Sequence, residues 1–171
     1  MSTLNEQDLL SNDYEPLRVY RWIFVFDSIP SYMAKTFARP ARAFEETAID
    51  WINTKRWLAG KHTWNDIQMT LYSPIAPSAA GAVQEWCALN FDEVTGKAGY
   101  ASTYKKTISI QMIDPVGNIA EEWTLGGCWP REVNYNELDY ASSEAATITL
   151  TIRYDSALLA KVASKSEDGG R

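Results

Sequence analysis

One segment limits the folds open to this chain more than any other: Ala146-Thr147-Ile148-Thr149-Leu150-Thr151-Ile152-Arg153-Tyr154-Asp155. Ala146, Ile148, Leu150, Ile152 and Tyr154 fall on one face, and Thr147, Thr149, Thr151 and Arg153 on the other. Strict period-two alternation matches a pleated strand, and β-branched residues on both faces suit one. The apolar face demands a core. The hydroxyl face is good strand material that is not obviously core.

Other segments carry related patterns. Val19 to Phe26 (VYRWIFVF) predicts a strand apolar on both faces, and therefore covered on both sides, by its own fold or by a partner. Asp27-Ser28-Ile29-Pro30-Ser31 ends it, and residues 32–44 read as irregular. Glu46 to Asn53 predicts a strand with Thr47, Ile49 and Trp51 against Ala48, Asp50 and Ile52; a turn at Asn53-Thr54-Lys55 leads back through Arg56 to Ala59 and Gly60. Trp64 to Tyr72 alternates again. Pro74 and Pro77 close the sheet and introduce a helix with Ser78 as N-cap and Ala79, Ala82, Val83 and Trp86 at helical spacing. After a loop over 92–102, Tyr104 to Ile113 and Ile119 to Leu125 read as a hairpin joined at Asp114-Pro115-Val116-Gly117-Asn118.

The predicted fold is mostly β, a β-barrel or sandwich of about six or seven strands with one flanking α-helix. Residues 1–17 read as a flexible N-terminal arm, 18–155 as the β domain, and 156–171 as a C-terminal tail.

Composition narrows the classes of function. The 171 residues, 46% of them hydrophobic, suffice for one domain with a real core. Seven Trp and nine Tyr serve either that core or an interface. No apolar run is long enough to span a membrane, and the polar, acidic start predicts synthesis in the cytoplasm without a signal peptide. The net charge of −6 is unevenly spread: residues 18–61 hold eight Lys/Arg against four acids, while 62–171 hold eight against fourteen. This is either scattered surface charge or a polar particle whose basic end meets the acidic end of a neighbour. An acidic chain is badly suited to gripping nucleic acid, but it can surround nucleic acid without sticking to it.

Chemistry finds no support. His62 is the single histidine and has no ligand pattern around it, which argues against multi-histidine metal sites and a Ser-His-Asp triad. Gly126-Gly127 lacks the spacing of a phosphate loop, and Glu121 and Glu122 are adjacent in a strand and point apart. Lys105-Lys106 is too short for a nucleic-acid patch. Cys87 and Cys128 read as buried hydrophobes. No catalytic residue, metal ligand set or cofactor is expected. Trp51, Trp57 and Trp64 line a small-molecule pocket, fill a core or form an interface.

Tyr104-Lys105-Lys106, a strand, then Glu122-Trp123-Thr124-Leu125-Gly126-Gly127-Cys128-Trp129-Pro130, Leu138-Asp139-Tyr140 and the closing strand together resemble the tail-tube proteins of contractile-tailed bacteriophages. Trp64-x-Asp66-x-Gln68-x-Thr70 resembles that family's strand before the helix, and the match in order runs over roughly residues 45–155. The resemblance implies a structural virion protein. Six copies form a ring, and rings stack head to tail into a hollow inner tube through which DNA is delivered. Its implied partners are further copies of itself, the tail sheath, the baseplate and terminator proteins, and DNA that passes without specific binding; assembly takes place in the host cytoplasm. The same fold serves contractile injection systems.

Within that picture, Thr147, Thr149, Thr151, Ser109 and Gln111 are expected to line the lumen, with Thr149 pointing into water. The 46–59 hairpin is expected to reach the neighbouring ring through Trp51, Ile52, Lys55, Arg56, Trp57 and Leu58, or else to cover the subunit's own core. The alternatives are a baseplate or tube-terminating protein of the same fold, an inner tube of a bacterial injection system, and a β-barrel that binds a small apolar ligand.

Overall fold

The computed structural model describes residues 16–162. The expected arm over 1–17 therefore lies outside the described residues except for Pro16 and Leu17, as does the expected tail beyond Val162.

The frame is a hairpin of β8 (Lys106–Ile113) and β9 (Ile119–Asn134). Asp114 organises its turn, its carboxylate accepting from the backbone N–H of Val116 at 2.9 Å and of Asn118 at 2.8 Å. β1 (Trp22–Val25) pairs with the outer edge of β8. β10 (Thr147–Arg153) and β11 (Ser156–Val162) follow each other along the opposite edge of β9, β10 against residues 129–134 and β11 against 121–126. β5 (Ile67–Tyr72) then pairs with β10, and β2 (Ala34–Phe37) with β5. All of these pairings are antiparallel.

β9 is long enough to serve two half-sheets, and it bends between them. Gly127 takes φ +69°, and the Asp155 N–H donates across to the Gly126 carbonyl at 3.0 Å. The first half is β1-β8-β9-β11 and the second β9-β10-β5-β2. Bent strands shared by two halves fold the sheet over itself, with the inner faces closing on a single core. Phe24, Ile108, Ile110 and Leu125 come from the first half; Ile67, Met69, Leu71, Ile148, Leu150 and Ile152 come from the second. The expected apolar face of the closing strand is therefore the centre of the molecule. Apart from the Tyr154 hydroxyl and the Trp86 indole N–H, the core among the described residues is apolar.

The helix α1 (Ala79–Asn90) packs against this core through Ala79, Val83 and Trp86. Ser78 caps it as the sequence predicts, its hydroxyl accepting from the Gly81 N–H at 3.2 Å. Trp86 lies 4.8 Å from the Phe26 ring and donates its indole N–H to the Tyr104 carbonyl at 2.8 Å. Its full burial stabilises by about 2–3 kcal/mol.

Several expectations need correction. Residues 156–162 form the edge strand β11, where the sequence predicts a tail from 156 onward. Their Ala/Leu/Lys composition carries no alternation; the free edge of β9 imposes the strand. Residues 34–37 pair with β5, although 32–44 read as irregular. The 92–102 loop contains a two-residue ribbon, β6 (Phe91–Asp92) with β7 (Lys97–Ala98), and a short helix, α2 (Ala101–Tyr104). β9 runs well past Leu125, carried through the Gly126-Gly127 bend by its second partner, β10. In β1, Phe24 is buried while Ile23 and Val25 are exposed, so the second apolar face predicted for this strand has no cover within the subunit.

Candidate assembly surfaces

The largest departure from the compact frame is a ribbon of β3 (Arg42–Trp51) and β4 (Thr54–Trp64). The two strands pair with each other and with no other described strand. Every residue along them is exposed except Trp64, which is half-buried at the root. The root is well anchored. The Asn65 N–H donates to the Ala41 carbonyl at 2.9 Å, and the Arg42 guanidinium lies over the Phe44 and Trp64 rings at 5.0 and 5.3 Å. The Trp64 ring sits 5.8 Å from that of Tyr154.

Directly below, Asp66 receives Arg153 at 2.7 Å and Arg131 on its other oxygen. The Arg153 hydrogen bond, and then the Arg131 one, hold the Asp66 carboxyl below its usual range against the opposing cost of burial. These contacts tie the start of β5 to β10 and β9, the strands that carry the ribbon's base.

Cross-strand partners share a face. Ile49 opposite Arg56 and Thr47 opposite Leu58 put Trp51, Arg56 and Leu58 on one face; Asp50 opposite Lys55 and Ala48 opposite Trp57 put Lys55 and Trp57 on the other. Ile52 is at the tip and fully exposed, and Trp51 and Trp57 are 63% and 61% exposed. All six residues expected to contact a neighbour thus lie together on this arm, and none of them covers the subunit's own core. With Trp51 and Trp57 exposed on opposite faces, the three tryptophans do not enclose a ligand pocket.

The residues expected to line a lumen fall into two groups. Thr147, Thr149 and Thr151 stand on the outer face of the second half-sheet, in register with Tyr72, Thr70 and Gln68 of β5. Asn136 reaches onto this face: its amide donates to the Thr147 carbonyl at 2.9 Å and to the Thr149 hydroxyl at 3.3 Å. Ser109 and Gln111 stand on the outer face of the first half-sheet, both donating to Glu122 Oε1 at 2.9 Å. The Gln111 bond, followed by the Ser109 bond, lowers the Glu122 pKa. The two half-sheets share a core, so their outer faces diverge.

Two further features escaped sequence reasoning. Residues 136–147 border an open hollow of about 510 Å³, with Leu138 and Tyr140 exposed beside it and Glu137, Asp139 and Glu144 around it. In sequence, Leu138-Asp139-Tyr140 carries part of the family resemblance, but nothing in it assigns the segment a surface role. The strands β1 and β11 form the two free edges of the first half-sheet, and β11 exposes Leu158, Leu159 and Val162. Among the described residues, no cluster of three His, Cys, Asp or Glu side chains is placed to hold a metal.

An anchored, uncovered apolar ribbon and free sheet edges leave this subunit with surfaces suited to contact with protein. Known proteins point the same way. Residues 45–157 match the family described as T4-like virus tail tube protein gp19. The tail tube protein of Serratia phage KSP90 is 22% identical over 169 residues, covering 90% of this chain and 95% of that protein. Tail tube protein gp19 of Enterobacteria phage T4 is 27% identical over 130 residues, covering 73% and 78%. The fold is also similar to the tube-terminating cap of the anti-feeding prophage, with a TM-score of 0.71 and 17% identity over 88% of this chain and 93% of the cap chain. The matched span contains all but the first three residues of the ribbon, the Gly126–Pro130 bend and the closing strand, and with it this chain belongs to the T4-like tail tube protein family, structural components of contractile tails.

Proposed function

We propose that this chain forms six-membered rings that stack head to tail into the inner tail tube, and that DNA passes through the lumen without specific binding. The observation that carries the reading is the β3–β4 ribbon. A two-stranded ribbon alone in water is marginal, and one with Trp51, Ile52, Trp57 and Leu58 uncovered calls for a partner surface.

Ring closure has a backbone rationale. The first half-sheet has four antiparallel strands, so β11 of one copy meets β1 of the next in antiparallel sense and the alternation continues around the ring. Such pairing also removes two exposed edges, one of them apolar. Heterologous contact along the tube axis then grows a filament.

A ring closed in this way turns one of the two diverging outer faces toward its axis, and of the two the threonine face is the more hydrophilic. Thr147, Thr149, Thr151, Thr70 and Gln68 present hydroxyls and an amide with no aliphatic side chain between them. The Ser109/Gln111 face is flanked by exposed Ile23, Val25 and Leu158, which favours contact with protein. The tail sheath, baseplate and terminator proteins are the further partners, assembly takes place in the host cytoplasm, and the role is structural, not enzymatic.

A tube-terminating role is the second reading, favoured by the likeness in fold to the anti-feeding prophage cap. Negative-stain electron microscopy of the purified protein at physiological salt tests both. Long tubes support the tube subunit. Rings that never stack favour the terminator, and dispersed monomers at high concentration count against both.

A further inference from the structure

We propose that the tip of the β3–β4 ribbon of one copy seats in the hollow bordered by residues 136–147 of a second copy, a proposal that rests on the reading of the ribbon as the stacking arm. Position, chemistry and charge point to this pairing.

The ribbon leaves the subunit at Trp64, immediately before β5 begins at Ile67. The hollow lies at the opposite end of the same ladder, where Thr147 pairs with Tyr72. The ribbon's root and the hollow are therefore separated by the length of the β5–β10 pairing, about 20 Å at the rise of a strand. A head-to-tail assembly needs its two contact surfaces at opposite ends of the subunit, and these are so placed.

The hollow presents exposed Leu138 and Tyr140, and the arm presents Trp51 and Ile52. Each pair is left uncovered by its own subunit, and together they form an apolar centre with a polar rim, the usual anatomy of a protein interface.

Charge complements the fit. Residues 135–146 carry Glu137, Asp139 and Glu144 and no base, while the arm carries Lys55 and Arg56 next to its tip. Lys55 is already 3.3 Å from Asp50 within the ribbon, but both groups are exposed and such a pair rearranges at little cost.

The loop is preset for the role. Tyr135 donates to Gln84 of α1 at 3.0 Å, Asn136 is fixed in the left-handed region at φ 55° and bonded to Thr147, and Asp139 accepts the Ala141 N–H at 2.9 Å. The loop is therefore held from both flanks, while Leu138 and Tyr140 remain outside.

Two charge-reversed proteins provide the test. One carries Lys55→Glu and Arg56→Glu on the arm; the other carries Glu137→Lys and Glu144→Lys on the hollow. Unchanged thermal melts establish that each folds. Each alone is expected to raise the protein concentration needed for tube formation by about tenfold or more, through like-charge contact. Mixed, they are expected to form tubes again, because each arm then finds a hollow of opposite sign. If the hollow variant polymerises like the wild type, or if the mixture stays stalled while the arm variant is stalled alone, the docking pair is overturned and the arm keeps another receptor. If the arm variant itself polymerises normally, the stacking reading of the ribbon falls, and the pairing falls with it. A non-reducing gel of Ile52→Cys/Tyr140→Cys tubes gives a second measurement: a ladder of linked subunits supports the pairing, and unlinked protein in oxidised tubes counts against it.

Discussion

Asp155 closes over Gly127: a Cβ on that glycine would stand 2.8 Å from Asp155 Cγ and overlap its Oδ2. Lys105 holds the same oxygen at 2.7 Å, but the pair is partly solvated, so the carboxylate can swing aside at modest cost. Gly127 also has φ +69°, so a side chain there is strained by the backbone as well as by space. Gly127→Ala is expected to destabilise the subunit by about 1–3 kcal/mol in urea unfolding, most of it from the backbone. Adding Asp155→Ala should recover the steric part and leave the backbone part. A Gly127→Ala protein as stable as the wild type would remove this contact as the reason for glycine at the bend.

Acid should weaken the root of the ribbon through Asp66. Its folded pKa is depressed by Arg153 and Arg131, so its contribution is fully present above the unfolded carboxylate range and is lost as pH falls through the lower, folded value. Asp66→Asn is expected to cost about 1 kcal/mol at neutral pH, modest because both guanidinium groups are partly solvated. That difference should shrink once the pH drops below about 4. Denaturant midpoints of the two proteins measured across that range decide it; a constant gap means Asp66 acts through packing and not through charge.

The ribbon should be nearly neutral for the free subunit and decisive for assembly. Trp51→Ser with Trp57→Ser removes two exposed rings that do not pack into the core. Subunit stability is expected to stay within about 0.5 kcal/mol, while tube formation is lost. A large drop in melting temperature would instead assign the two rings to the fold.

Thr149 should face the channel. In assembled tubes, a Thr149→Cys protein carrying Cys87→Ala is expected to react with a small maleimide and not with one attached to a polymer too wide for the lumen. Equal labelling by both reagents would place residue 149 on the outside; labelling by neither would place it in a dry contact.

Cys128 should be inert in the folded protein. It is fully buried, and burial pushes its thiol up to about 12, so thiolate is scarce at pH 8. Alkylation followed by mass spectrometry is expected to modify Cys128 only in denaturant. Reaction at the rate of a free thiol without denaturant would show that the strand around it opens.

The β strands with clean alternation are legible in the order of their residues. Ile148, Leu150 and Ile152 have to be buried together, and so do Ile108 and Ile110, because a side-chain period of two leaves a strand one way to hide them. Ser78 marks the start of its helix for an equally local reason, a hydroxyl placed to accept an orphan N–H. The six apolar and basic residues of the ribbon can be picked out by type, since Trp51, Ile52 and Trp57 are too apolar for a solvated turn.

What escapes local reading is everything decided by a partner strand. Residues 156–162 are a strand because β9 offers an open edge, and nothing in their own order of Ala, Leu and Lys requires it. Ser109 and Thr149 look alike in sequence, as hydroxyls on the polar side of a strand, yet the bend at Gly126-Gly127 sends their faces in different directions. Leu138 and Tyr140 give no periodic signal, and their exposure follows only from where the loop rests against α1 and β10. The sequence alone determined which residues seek a core and which faces are polar, because that is a matter of side-chain chemistry and period. The tertiary structure decided which of those faces and edges remain uncovered, because pairing and packing between distant segments consume some surfaces and leave others for a neighbour.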